Sequence, residues 1–195
     1  MAPAEAKDSL KGASITAVPG MTKMLKTISR GGMGLAAIIC AAHAAAQTPI
    51  PPSPNDFVVA ACQSDQYEIE AGKDAEVQSN DMRVRTFAQQ MIQDHTRTIE
   101  ILRQAAMSSG LPVPEPSVSS DQARLLSSLQ SLRGAEFDRT YARQQVLAHE
   151  QAVTVADSFA AAGSDANLRN AAASALPIIQ EHLKMAQQLR TDVGG

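Results

Sequence analysis

The chain has 195 residues, room for one domain of ordinary size, and a formal net charge of −3. Hydrophobic content is 44% but aromatic content only 3%, with no Trp. The apolar fraction is carried largely by alanine, which has the best helix propensity and lets helices approach closely, so the composition favours helices over strands. The mild charge, with no long basic run and no zinc-finger spacing, excludes nucleic acid as an expected partner.

In chain order, Lys23, Lys26 and Arg30 precede an uncharged stretch from Gly31 to Ala42. Ala42-His43-Ala44 follows as a small-x-small cleavage pattern, with Ala44-Ala45-Ala46 as a second option. A charged n-region, a short apolar h-region and a small-residue site are the parts of a secretory signal. The h-region is about a dozen residues, short of the ~20 a spanning helix needs. Residues 1–44 therefore read as an N-terminal extension and cleavable signal starting at Met21. The mature protein is expected in the periplasm or cell envelope of a bacterium, with no membrane span after cleavage. Cys40 follows Ile38-Ile39, where a lipoprotein signal would want small residues. Cleavage leaves 12 Lys+Arg against 18 Asp+Glu, a net charge of −6, and one cysteine, Cys62. No internal disulfide is then possible, and Cys62 is expected as a small buried residue on the first helix.

Residues 45–54 form a proline-rich tether, and residues 55–192 a helical bundle. Helix A is expected from Asp56 to Gln78. Helix B should run from Asp81 to Ser109, capped by Asn80 and stopped by Gly110. Three prolines keep Leu111 to Val118 out of helix. A short helix from Asp121 to Leu132 follows, with Ser119 and Gln122 at capping-box spacing. Arg133-Gly134 interrupts the chain before helix D, Ala135 to Ala162, which ends at Gly163. Helix E spans Ala166 to Asp192, capped by Ser164 or Asp165, with Pro177 inside it expected to bend it.

The long helices carry apolar stripes at alternating spacings of four and three, the pattern that keeps one face on a partner. Helix B places Val84, Ala88, Met91, His95, Thr98 and Leu102 on its stripe. Helix E places Leu168, Ala172, Ala175, Ile179, His182 and Ala186 on its own. Helix D offers Phe137, Tyr141, Ala148, Ala152, Val155 and Phe159. Short A–B and D–E turns make two antiparallel hairpins. The roughly 25 residues between them can cross the bundle lengthwise, as ferritin-like folds require. The expected architecture is thus all-α: a ferritin-like antiparallel four-helix bundle with a short extra helix in the long crossover.

The mature chain's only histidines, His95, His149 and His182, each sit on a long helix. Helix A contributes Glu68, in line with Phe57, Ala61, Asp65, Gly72 and Ala75. At ~1.5 Å rise per residue, all four fall within roughly 6 Å of a common level near mid-height. Four helices can therefore send one imidazole or carboxylate each toward one internal spot, where such bundles build metal sites. Each histidine has an acidic neighbour in sequence: Asp94, Glu150 and Glu181. Adjacent helix positions point about 100° apart, so these acids orient partners or face water. The alternative is a satisfied polar network that fixes helix register. Residues Ile92, Val146 and Ile179 stand three before the histidines, so the Glu-x-x-His motif of carboxylate-bridged dimetal bundles is absent. If metal binds, the expectation is one divalent ion or copper in a mononuclear His-rich site. Met91 and Met185, on the histidine faces, suit copper(I) or serve as core filler.

Asp56-Phe57-Val58, Glu68-Ile69-Glu70-Ala71-Gly72, the run from Val84 through Phe87-Ala88-Gln89-Gln90-Met91-Ile92-Gln93-Asp94-His95, and Leu176-Pro177 with His182-Leu183 resemble the domain-of-unknown-function family 4142. The likeness covers about Asp56 to Leu189, with Lys73-Asp74 departing from the family pattern. It implies a ferritin-like bundle exported by bacteria to the envelope, and carries over Glu68, Asp94, His95, His149 and His182 as the family's polar positions. Two functions follow. The first is a non-enzymatic envelope bundle, stress-related, that binds a protein partner or small ligand. The second is a metal-binding or metal-dependent redox protein using Glu68, His95, His149 and His182. Convergence of the three imidazoles within about 5 Å, with free nitrogens, separates them.

Overall fold

The computed structural model describes residues 51–194; the expected signal and the start of the tether lie outside them. Five helices follow in order: α1 Pro54–Gln78, α2 Met82–Ser108, α3 Ser120–Gln130, α4 Gly134–Ala162 and α5 Ala166–Asp192. Among the described residues no helix is long and apolar enough to cross a membrane.

Local chemistry sets the boundaries. Ser53 caps α1, its hydroxyl accepting from the Asp56 N–H, and Pro54 occupies the first helical position where no N–H is needed. Asp81, rather than the expected Asn80, caps α2: its carboxylate accepts from the Arg83 N–H at 2.8 Å, while Ser79 Oγ accepts from the Asp81 N–H. Two short polar side chains close the turn between them, leaving Asn80 exposed. Ser119 and Gln122 form the expected capping box on α3. Asp165 caps α5, accepting from Leu168 N–H at 2.9 Å. Gly134 has φ +55°, a left-handed conformation that glycine supplies at no steric cost, and α4 starts there.

Contacts at the ends orient the helices. Ser109 Oγ, just past α2, donates to Asp165 at 2.8 Å, joining the end of α2 to the start of α5. At the same end Phe57 of α1 stacks on Phe159 of α4 with centroids 4.0 Å apart. Gln130 at the end of α3 reaches the opposite end, donating to Asp74 of α1 and accepting from Gln78. Every neighbouring pair of the four long helices is therefore antiparallel, and the α2–α4 connection crosses the bundle lengthwise with α3 lying on α1 and α4. Asp74 thus serves the contact of α1 with α3. The α1–α2 hairpin is held close at Gly72, where a Cβ would stand 2.7 Å from Ile92 Cγ1.

The apolar core comes in two parts. One holds Tyr67, Phe87, Met91, Leu129, Phe137 and Tyr141 near the α1–α2 turn. The other holds Phe57, Val58, Cys62, Leu102, Phe159 and Leu168 near the α4–α5 turn. Each large side chain buried this way contributes about 1.5–3 kcal/mol. Cys62 is free and buried, and burial pushes its thiol up to about 11. A layer of polar side chains separates the two halves.

Candidate metal centre

His95 and His182 come inward on the expected stripes of α2 and α5, and His149 on the face of α4 that buries Gln145 and Ala156. All three are buried, and each offers a ring nitrogen within 4.8 Å of the others. Their ring centroids are 5.3 to 5.7 Å apart. In each ring one nitrogen is already engaged by an oxygen. His95 Nδ1 lies 2.8 Å from Asp65 Oδ1, His149 Nδ1 2.8 Å from the carbonyl of Gln145, and His182 Nε2 3.1 Å from Asp94 Oδ2. The other nitrogens, His95 Nε2, His149 Nε2 and His182 Nδ1, are buried with no hydrogen-bond partner. An oxygen acceptor on one imidazole nitrogen places the N–H there and leaves a lone pair on the other, which is how metal-ligating histidines are held.

Electrostatics keep the set ready for a cation. Burial, followed by the neighbouring histidines, lowers His182 to about 4; burial lowers His95 to about 4 despite the Glu68 carboxylate nearby. Both rings are neutral at pH 7 and need shed no proton to ligate. Burial also raises the Asp65 carboxyl well above its usual range. A cation on His95 Nε2 would need the proton on Nδ1 and Asp65 ionised as its acceptor, so uptake would release the Asp65 proton.

Glu68 is buried on α1, with both carboxylate oxygens lacking a hydrogen-bond partner. It stands outside the close trio but within electrostatic range of His95 and Tyr141. Asp94 reaches across from α2 to His182 on α5, rather than serving the adjacent His95. The other two acidic neighbours are not brought to the cluster: Glu150 is exposed, and Glu181 is exposed and paired with Lys184 at 3.6 Å. The rotation of α4 and α5 about their axes turns both to solvent. The sequence reading missed the role of Asp65. The signal was its position three before Glu68 on the same buried face, a second acid where an apolar residue is expected. Met91 is fully buried in the core half near the α1–α2 turn, and Met185 lies at the edge of that half.

The fold and this layer define the class: an antiparallel four-helix bundle with a buried tri-histidine centre. The chain belongs to the DUF4142 family, a domain of unknown function whose profile matches residues 40–189. No curated protein matches the sequence. Among solved structures it is similar to CopM in its Cu(I)-bound form, at 19% identity and TM-score 0.61, covering 74% of this chain and 99% of that one. It is also similar to a DUF305 protein from Streptomyces coelicolor, at 14% identity and TM-score 0.62, covering 73% and 95%. A DUF305 fragment from Deinococcus radiodurans matches at 16% and 0.62, covering 74% and 99%. At these identities the likeness is one of fold.

Proposed function

We propose that this protein binds a single metal ion, copper(I) foremost, through His95, His149 and His182, as an exported envelope protein that handles the metal without catalysing a reaction. One observation carries the reading: three buried imidazoles from three helices converge, each with one nitrogen anchored and the other unpartnered. A satisfied register network would have spent those lone pairs on hydrogen bonds. Metal–nitrogen bonds of about 2.0–2.1 Å in a trigonal set hold the nitrogens about 3.5 Å apart, so the rings close by roughly an ångström on loading. An all-imidazole, low-coordinate set suits copper, with zinc the main competitor. Asp65 and Asp94 orient their rings, and Glu68 supplies negative charge to balance the ion. The similar fold of CopM, solved with Cu(I), supports copper. The signal-like residues 1–44 support export.

The test is elemental analysis of the purified protein, with Cu(I) titration against a competing chelator. One copper per chain is expected, lost in His95→Ala, His149→Ala and His182→Ala. A wild type that takes up no metal at micromolar competitor strength overturns the proposal.

A further inference from the structure

Beside the histidine layer the bundle is not filled. A cavity of about 500 Å³ opens between the two hairpins, walled by side chains from all five helices. Its volume lies within the ~300–1,000 Å³ of small-molecule sites. The cause is in the sequence. Ala148 and Ala152 of α4 and Ala175 of α5 stand on the expected core stripes yet remain partly exposed, because alanine side chains cannot span the gap between hairpins. Apolar residues rim the opening: Ile101, Leu147 and Ile178 are all exposed and all line it.

Small residues alone make no site; two further features give this cavity a chemical end. His95 and His182, each with an unpartnered buried nitrogen, form part of its wall, while Glu68, Gln145 and His149 do not. The histidine layer that would hold the metal thus borders the cavity through His95 and His182. No lysine or arginine lines the cavity, whereas Asp65 and Asp121 do, so nothing in it compensates an anion.

We infer that the cavity is a ligand pocket with the metal at its inner end, taking an uncharged, largely apolar small molecule with one lone-pair donor that completes the metal's open position. This rests on the tri-histidine reading. Three protein ligands plus an open position is the arrangement of metal sites that engage exogenous molecules, as opposed to closed structural sites. The apolar walls supply affinity and the donor atom fixes orientation.

The experiment loads the full-length mature protein with Cu(I) anaerobically and titrates 4-phenylimidazole by calorimetry, with imidazole-4-acetate as the anionic comparison. Binding to the loaded protein at least tenfold tighter than to the metal-free protein, and tenfold tighter than the anion, is expected. Ala175→Phe fills the cavity, and Ala152→Leu fills it more gently should the first not fold. Each should keep one copper per chain and weaken 4-phenylimidazole at least tenfold. Loaded wild type that ignores the probe, prefers the anion, binds no tighter than the metal-free form, or whose filled variants bind as well overturns this inference and leaves the metal reading standing. Wild type that takes no copper overturns both.

Discussion

A neutral imidazole carries one N–H and one lone pair, so fixing the proton on one nitrogen aims the lone pair of the other. Asp65 and Asp94 do this for His95 and His182, each from a helix other than that of the ring it holds. Asp94→Asn keeps an acceptor oxygen but loses the charge. It should leave stoichiometry at saturation unchanged and weaken copper by about 10–100-fold, the usual cost of losing such support; chelator competition measures it. Asp65→Asn should behave alike, and unchanged affinity in both would remove their orienting role. Glu68 makes the opposite statement about stability. An unpartnered buried carboxylate is costly in the metal-free protein, so Glu68→Met should stabilise that form by about 1–3 kcal/mol in urea unfolding while weakening copper. Destabilisation instead would mean that the carboxylate is satisfied without an ion. At this scale the inward direction was readable: His95 and His182 fall on core stripes, His149 at a stripe edge and Glu68 in line with apolar residues of its helix, and all four are buried. It was not readable for the partners. Whether an acid beside a histidine turns inward depends on the rotation of each helix about its axis and on its neighbours, which separates Asp94 from Glu150 and Glu181.

At the scale of the elements, helix positions followed from caps, glycines and prolines; the α2 cap moved by one residue, α1 starts two residues before the expected Asp56, and α3 ends two residues before the expected Leu132. What periodicity could not supply was how closely each stripe meets its partner. Helices α1 and α2 meet tightly because Gly72 admits Ile92, while α4 and α5 turn alanines toward the gap between the hairpins and leave the cavity. Gly72→Ala tests the first half of that contrast. Its Cβ would meet Ile92 Cγ1 at 2.7 Å and the Ala88 carbonyl at 3.1 Å. The isoleucine can swing aside but the backbone cannot. The ~1 kcal/mol gained in helix propensity is then outweighed by an overpacking cost of about 1–3 kcal/mol. Thermal unfolding should show a net loss, and a stabilised variant would mean that the hairpin relaxes freely there. Ser119→Ala removes one arm of the capping box on α3 and should cost about 1 kcal/mol, read from urea unfolding.

Across the whole molecule, the polar layer separates two apolar halves, so its protonation state is coupled to the integrity of both. His95 and His182 titrate at about 4 in the fold, below the ordinary value of 6.5. Between those values the unfolded chain binds more protons than the folded one, so stability rises with pH across the window. The contribution of these rings is fully present above about 6.5 and is lost as pH falls through about 4. Asp65, raised by burial, acts with the opposite sign: it binds its proton more readily in the fold and offsets part of the loss as the medium is acidified. Two imidazoles against one carboxyl leave a net destabilisation, on the order of a few kcal/mol at 1.36 kcal/mol per unit. The melting temperature of metal-free protein should therefore fall between pH 7 and pH 4.5. His182→Leu, which removes one titrating ring, should flatten the slope. Copper adds a second pH dependence in the same direction, since protons compete for the lone pairs that bind it. The stabilisation that copper gives at pH 7 should shrink toward pH 4.5. A melting temperature that is level across this range, with and without copper, would mean that His95 and His182 are not held neutral by burial, and the physical basis of the centre would go with it.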